Sequence, residues 1–162
     1  MRYVLIDRIL SLEAGRRLSA IKNVTASDGL VTRYARGFCA LPASMVLEAM
    51  AQAAGLLVVA TAPQNVQPVL AKVQPFTAYG QARPGDQLHL QVELEALRDQ
   101  GCRARVTADV HRRRLADAVI YLALVMPDSV GADGNAALRV REGLADLYPG
   151  WFSADRRARG TS

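Results

Sequence analysis

Histidine and cysteine are both scarce: His89 and His111, and Cys39 and Cys102, are all that 162 residues contain. The two cysteines are far apart and make no Cys-x-x-Cys pair. That argues against a zinc site and a disulfide scaffold, and it fits a reducing cytoplasm. Aromatic residues make up only 6% of the chain, too few for a base-stacking platform, so no nucleic-acid partner is expected. The formal net charge of +5 is moderate. It suits an acidic protein partner or a phosphate-bearing ligand better than a polyanion. The opening Met1-Arg2-Tyr3-Val4-Leu5-Ile6 run is broken by Asp7 and Arg8, which is not the pattern of a signal peptide. With 51% hydrophobic and 22% charged residues, the composition is that of a soluble globular protein, not a disordered one.

Against these absences stands one long apolar run from Leu41 to Ala60, broken after Met45 only by Glu48 and Gln52. Pro42 suits the first turn of a helix, Ser44 is placed to cap it, and Pro63 ends it after Ala62. A helix apolar on all sides is normally buried on all sides. Its alanines and Gly55 would let a sheet approach closely. The run is nearly long enough for a bilayer, but an early carboxylate and amide and an alanine-rich composition argue against a membrane. Glu48 and Gln52 are spaced i, i+4 and share one face. A carboxylate there is costly unless it is paired, neutral or engaged in chemistry, so it is either a hydrogen-bonded structural group or a catalytic one.

The rest of the chain reads as strands. Arg17 to Thr25 alternates, Leu30 to Ala40 has no clean period and reads as a loop, and Gln64 to Pro68 reads as a polar linker. Val69 to Val73 is a strand interrupted at Pro75, and Pro84-Gly85-Asp86 is a turn. Leu88, Leu90, Val92 and Leu94 alternate with polar residues as in a half-buried strand. Arg103 to Val110 and Leu115 to Val125 form a hairpin over the basic turn His111 to Arg114. One helix followed by an antiparallel meander predicts an α+β fold with the sheet wrapped around the helix. Its open edges predict pairing with a second copy. Residues 1–126 form this domain, and residues 127–162 form an extension with a short helix carrying Ala137, Val140, Leu144 and Leu147 on one face and a disordered end.

Three stretches together resemble the hot-dog-fold β-hydroxyacyl-(acyl carrier protein) dehydratases: Leu5 to Leu10 with Ala20 to Thr25, the Leu47 to Gly55 helix segment, and Arg83 to Leu88. The resemblance covers residues 1 to 126 and implies that Glu48 is the catalytic carboxylate, acting with a loop residue across a dimer interface. Where those enzymes carry the loop histidine, this chain has Tyr34, followed by Ala35-Arg36 where the family has Phe-Pro; Gly37 and Pro42 keep the family pattern. Neither histidine replaces it, because His89 points outward on its strand and His111 lies in a turn. Free histidine titrates near 6.5 and serves as a base at neutral pH, whereas a phenol near 10 serves as a donor. Dehydration needs a base for the α-proton, an acid for the departing hydroxide and donors for the enolate-like oxygen.

The resemblance therefore implies Glu48 and Tyr34 as catalytic residues, the Gly37 N–H as donor to the thioester carbonyl, and Gln52 and Phe38 as binding residues, with no metal or cofactor. It also implies a thioester of acyl carrier protein or coenzyme A as substrate, in fatty acid or polyketide-type synthesis. The partner implied is a second hot-dog subunit, as homodimer, heterodimer or higher oligomer. Three other readings stand beside the stand-alone enzyme: a non-catalytic subunit of a heterodimeric dehydratase, a hot-dog thioesterase using Glu48, and an acyl-ligand binder using Gly37. Cys39 in the loop is a candidate thiol, and Arg33, Arg36 and Arg112 to Arg114 are candidate contacts for an acidic carrier protein.

Overall fold

The computed structural model describes residues 4–27, 29–34, 37–62, 66–126, 144–148 and 151. Among them the order is β1 (Arg8–Glu13), β2 (Arg17–Asn23), β3 (Thr32–Arg33), β4 (Cys39–Ala40), α1 (Ala43–Thr61), β5 (Gln67–Ala78), β6 (Gln87–Arg98), β7 (Gly101–Val110) and β8 (Arg113–Val125). Six strands form one antiparallel sheet in the order β1-β2-β6-β7-β8-β5, and α1 packs against it. This is the α+β arrangement expected from the sequence.

The period-2 pattern explains which face the helix takes. Leu88, Leu90 and Val92 of β6 are buried, as are Ala104, Val106 and Ala108 of β7 and Ala116, Ala118 and Ile120 of β8. From α1 they meet Val46, Ala49, Met50, Ala53, Ala54, Leu57 and Val58. Alanine on both sides keeps the contact close, while Met50, Leu57, Leu90 and Ile120 supply volume. Each large side chain so buried contributes about 1.5–3 kcal/mol. α1 is long and apolar enough to cross a membrane. Here it is the buried core helix of the sheet.

Four local expectations are corrected. Ser44 makes no cap: Pro42 occupies the N-cap position, and no side-chain cap hydrogen bond is made there. The Pro42 carbonyl instead accepts from the N–H groups of Met45 and Val46 at 2.9 and 3.1 Å. The stretch from Leu30 to Ala40 contains a small hairpin, Thr32 and Arg33 pairing with Ala40 and Cys39. Gln67 and Pro68, expected in the linker, already belong to β5, which runs unbroken through Pro75 with its register shifting between Val73 and Phe76, while Gln64 and Asn65 lie outside the described residues. Finally, the β7–β8 turn is only His111-Arg112, both with positive φ (50° and 64°), as a two-residue type I′ turn requires.

β1 and β5 are the sheet edges. On β5 the apolar Val69 and Leu70 are 44% and 46% exposed. In the C-terminal part, residues 144–147 form one helical turn. Leu144 packs on the core, but Leu147, expected on the same face, is exposed. Ala137 and Val140 lie outside the described residues.

Candidate functional site

Glu48 stands on α1, one turn before Gln52, and both are half-buried. The i, i+4 spacing brings them into contact: Gln52 Nε2 donates to Glu48 Oε1 at 3.0 Å. Gln52 Oε1 in turn accepts the backbone N–H of Leu5 at 2.8 Å. Because an N–H must meet the amide oxygen, Leu5 fixes which end of the amide faces the carboxylate. Glu48 Oε1 is thereby held by a side chain of fixed orientation, and Oε2 has no hydrogen bond among the described residues. A group that binds a proton and is held by a neutral donor is suited to general acid–base work.

The segment Leu5-Ile6-Asp7 is itself tied down. The Asp7 N–H donates to the Ile21 carbonyl at 2.9 Å. The Asp7 carboxylate accepts the Asn23 N–H and lies 3.8 Å from the buried Lys22 ammonium. The Ile6 carbonyl accepts the Tyr148 hydroxyl at 2.6 Å. Tyr148 is buried, which pushes its phenol up to about 12, with the Asp7 charge adding to the shift. Its folded-state value thus lies above the ordinary value of about 10. The stability this provides is complete below pH 10 and is lost as pH rises through 12. Thermal unfolding followed across that window is expected to lose on the order of 2 kcal/mol in the native protein relative to Tyr148→Phe.

The other candidate residues lie on the β3–β4 hairpin. The Tyr34 N–H donates to the Phe38 carbonyl at 2.7 Å, and the two rings stack at a tilt with centroids 5.8 Å apart. Gly37 makes the reversal with φ +74°, a conformation L side chains rarely adopt, and a Cβ added there would meet open space. Tyr34 is 40% exposed. The Arg83 guanidinium covers the Phe38 ring at 4.6 Å. Arg83 is brought there by the Arg83-Pro84-Gly85-Asp86 turn, whose Asp86 side chain accepts the Arg83 N–H at 2.7 Å. The antiparallel bridge of Leu41 to Ala82 ties this turn to the start of α1.

The structure therefore groups Glu48 with Gln52, and Tyr34 with Gly37 and Phe38. No hydrogen bond joins Glu48 to Tyr34 within the chain, among the described residues. Cys39 is half-buried, its Sγ 3.9 Å from the Gly37 carbonyl, with no histidine on it among the described residues. His89 is exposed, and His111 contacts Asp86 at 3.2 Å. No three His, Cys, Asp or Glu residues converge as metal ligands would, among the described residues. Leu5, Arg83 and Tyr148 were not singled out from the sequence. Leu5 and Arg83 did carry a signal, each lying in a stretch that bears the family resemblance.

A family model described as a FabA-like domain matches residues 1–123. The chain belongs to the FabA-like family. A curated relative, the 3-hydroxyacyl-(acyl-carrier-protein) dehydratase FabZ of Symbiobacterium thermophilum, is 38% identical over 130 residues, which span 76% of this chain and 87% of the relative. Two solved structures share the hot-dog fold of this FabA-like domain. One is the dehydratase heterocomplex ApeI:P from Xenorhabdus doucetiae, with a TM-score of 0.64 at 15% identity, covering 77% of this chain and 85% of that one. The other is smu.793 from Streptococcus mutans UA159 bound to acetyl CoA, with a TM-score of 0.63 at 15% identity, covering 78% and 94%. The sequence-based recognition of the dehydratase family agrees with the family match and the FabZ relative, and the expected hot-dog fold agrees with the two structures.

Proposed function

We propose that this protein acts on 3-hydroxyacyl or 2-enoyl thioesters, carried by acyl carrier protein or coenzyme A, as a dehydratase-family subunit in the cytoplasm. The observation that carries the reading is the Glu48–Gln52 pair, oriented by Leu5 on an otherwise apolar helix. The dehydratase activity named for the FabZ relative supports the same chemistry. In the dehydration direction, the α-proton leaves C2, the C2–C3 double bond forms, and the C3 hydroxyl departs as water after taking up a proton. Hydration is the reverse. Glu48 serves as the proton carrier, Gly37 N–H binds the thioester carbonyl, and Tyr34 donates a hydrogen bond or a proton. Phe38 and Gln52 shape the binding surface.

In this reading the site is completed between two chains, as the family resemblance implies; no hydrogen bond joins Glu48 to Tyr34 among the described residues. The open β5 edge, with exposed Val69 and Leu70, supplies the surface for a second hot-dog subunit. A specific observation favours a heterologous second subunit: Tyr34 stands where the family resemblance places a histidine base. In that reading this chain contributes Glu48 to a site whose base comes from its partner.

Loss of enoyl absorbance with trans-2-enoyl thioesters, read alongside free thiol release, tests the reading. Hydration by the purified protein, reduced about 10²-fold by Tyr34→Phe, is the expected result for the stand-alone enzyme. Activity that emerges only on adding a histidine-bearing hot-dog subunit selects the heteromeric form. Thiol release without hydration would make it a thioesterase and overturn the dehydratase reading.

A further inference from the structure

The family match ends at residue 123, yet the hydrogen bonds that orient the site run beyond it. They can be followed atom by atom. Glu48 accepts from Gln52, Gln52 accepts from the Leu5 N–H, and the carbonyl of the next residue, Ile6, accepts from Tyr148. We propose that Tyr148 is a positioning residue for Gln52 and Glu48. The kinetic part of this proposal rests on the dehydratase reading; the structural part does not.

The physical reasoning turns on how Leu5 is held. Leu5 and Ile6 are only 2% and 3% exposed, so water cannot replace a lost partner of their backbone without rearrangement. On one side Asp7 is fastened to β2 through the Ile21 carbonyl and the Asn23 N–H. On the other side the Ile6 carbonyl accepts from the Tyr148 hydroxyl, its one donor among the described residues. Removing that hydroxyl strands a buried acceptor, and the Leu5–Ile6 segment must turn its carbonyl toward another donor. Rotating that segment shifts the Leu5 N–H, and with it the acceptor contact that decides how the Gln52 amide faces Glu48. Burial keeps the Tyr148 phenol protonated across the neutral range, so the donor is always present.

The Tyr148 ring also packs with Leu144 and Trp151 on the core. A purely structural role must therefore be separated from positioning, and Leu144→Ala serves for this. It weakens the same segment without touching the Ile6 carbonyl. The experiment compares native protein, Tyr148→Phe and Leu144→Ala at a temperature where all three are folded, in the full chain and with a partner subunit if one is needed for activity. Enoyl-thioester hydration is measured together with the NMR signals of the Gln52 side-chain amide and hydrogen exchange at the Leu5 N–H. Tyr148→Phe is expected to lower kcat about 10-fold with KM within about 2-fold, to shift the Gln52 resonances and to speed Leu5 exchange about 10-fold. Leu144→Ala is expected to lower Tm while leaving kcat and the Gln52 resonances as they were.

Native-like kcat, Gln52 resonances and Leu5 exchange in Tyr148→Phe would overturn the proposal. So would equal losses of kcat in both variants at equal losses of Tm. If the native protein hydrates no thioester under any condition, the dehydratase reading fails, and the Leu5 and Gln52 signals alone decide the role of Tyr148.

Discussion

Glu48→Gln is expected to lower enoyl-thioester hydration by about 10³-fold, within the range that general acid–base groups supply. The substitution isolates proton transfer. A glutamine keeps a carbonyl oxygen at the position of Glu48 Oε1, so the 3.0 Å bond from Gln52 survives, and with it the Leu5 contact. The fold should be unchanged: Tm within about 2 °C of the native protein, because nothing in the core is removed. Activity retained within about 5-fold would show that Glu48 is a hydrogen-bonded structural residue. An equal fall in Tm and activity would mean that the charge itself holds the helix in place. In a heteromeric enzyme the same variant is measured in the mixed complex, where the loss is expected to be as large if Glu48 completes the partner's site.

The second large effect concerns stability. Leu57→Ala is expected to cost about 3 kcal/mol, because Leu57 is fully buried between α1 and the sheet and its loss leaves a cavity. For a chain of this size that corresponds to a fall of roughly 6–12 °C in Tm. Leu147→Ala provides the contrast: with Leu147 52% exposed, the expected change is within about 0.5 kcal/mol. Thermal or urea unfolding of both variants tests the placement of α1 against the sheet. Equal small effects would mean that Leu57 is not at the centre of the core.

The helix and its charged pair were legible in the sequence because their signal is local. Glu48 and Gln52 are four residues apart in an apolar run, and a helix makes that spacing a contact. The β6 alternation from Leu88 to Leu94 was legible for the same reason. Pro75 misled because proline usually breaks a strand. β5 lies at the sheet edge and pairs only with β8, and Pro75 falls in the register shift between Val73 and Phe76, where no ladder pair includes it. Ser44 misled because a good capping side chain says nothing of where the helix begins, and α1 begins at Ala43, one residue before it. The pairing of Thr32 and Arg33 with Ala40 and Cys39 is too short to leave a period. Gln52 to Leu5 and Tyr148 to Ile6 span 47 and 142 positions, and no window along the sequence joins them.

That last separation also bears on the order in which the molecule forms. β6, β7 and β8 follow one another through short turns, so their pairings close small loops and suit early formation. The bond from Tyr148 to Ile6 closes a loop of 142 positions and is unavailable until Tyr148 has left the ribosome. During synthesis the Leu5–Ile6 segment therefore passes through a stage in which the sheet and helix exist but its last fastening does not. If Tyr148 holds Leu5 as proposed, the carboxylate reaches its final orientation only when that last bond closes.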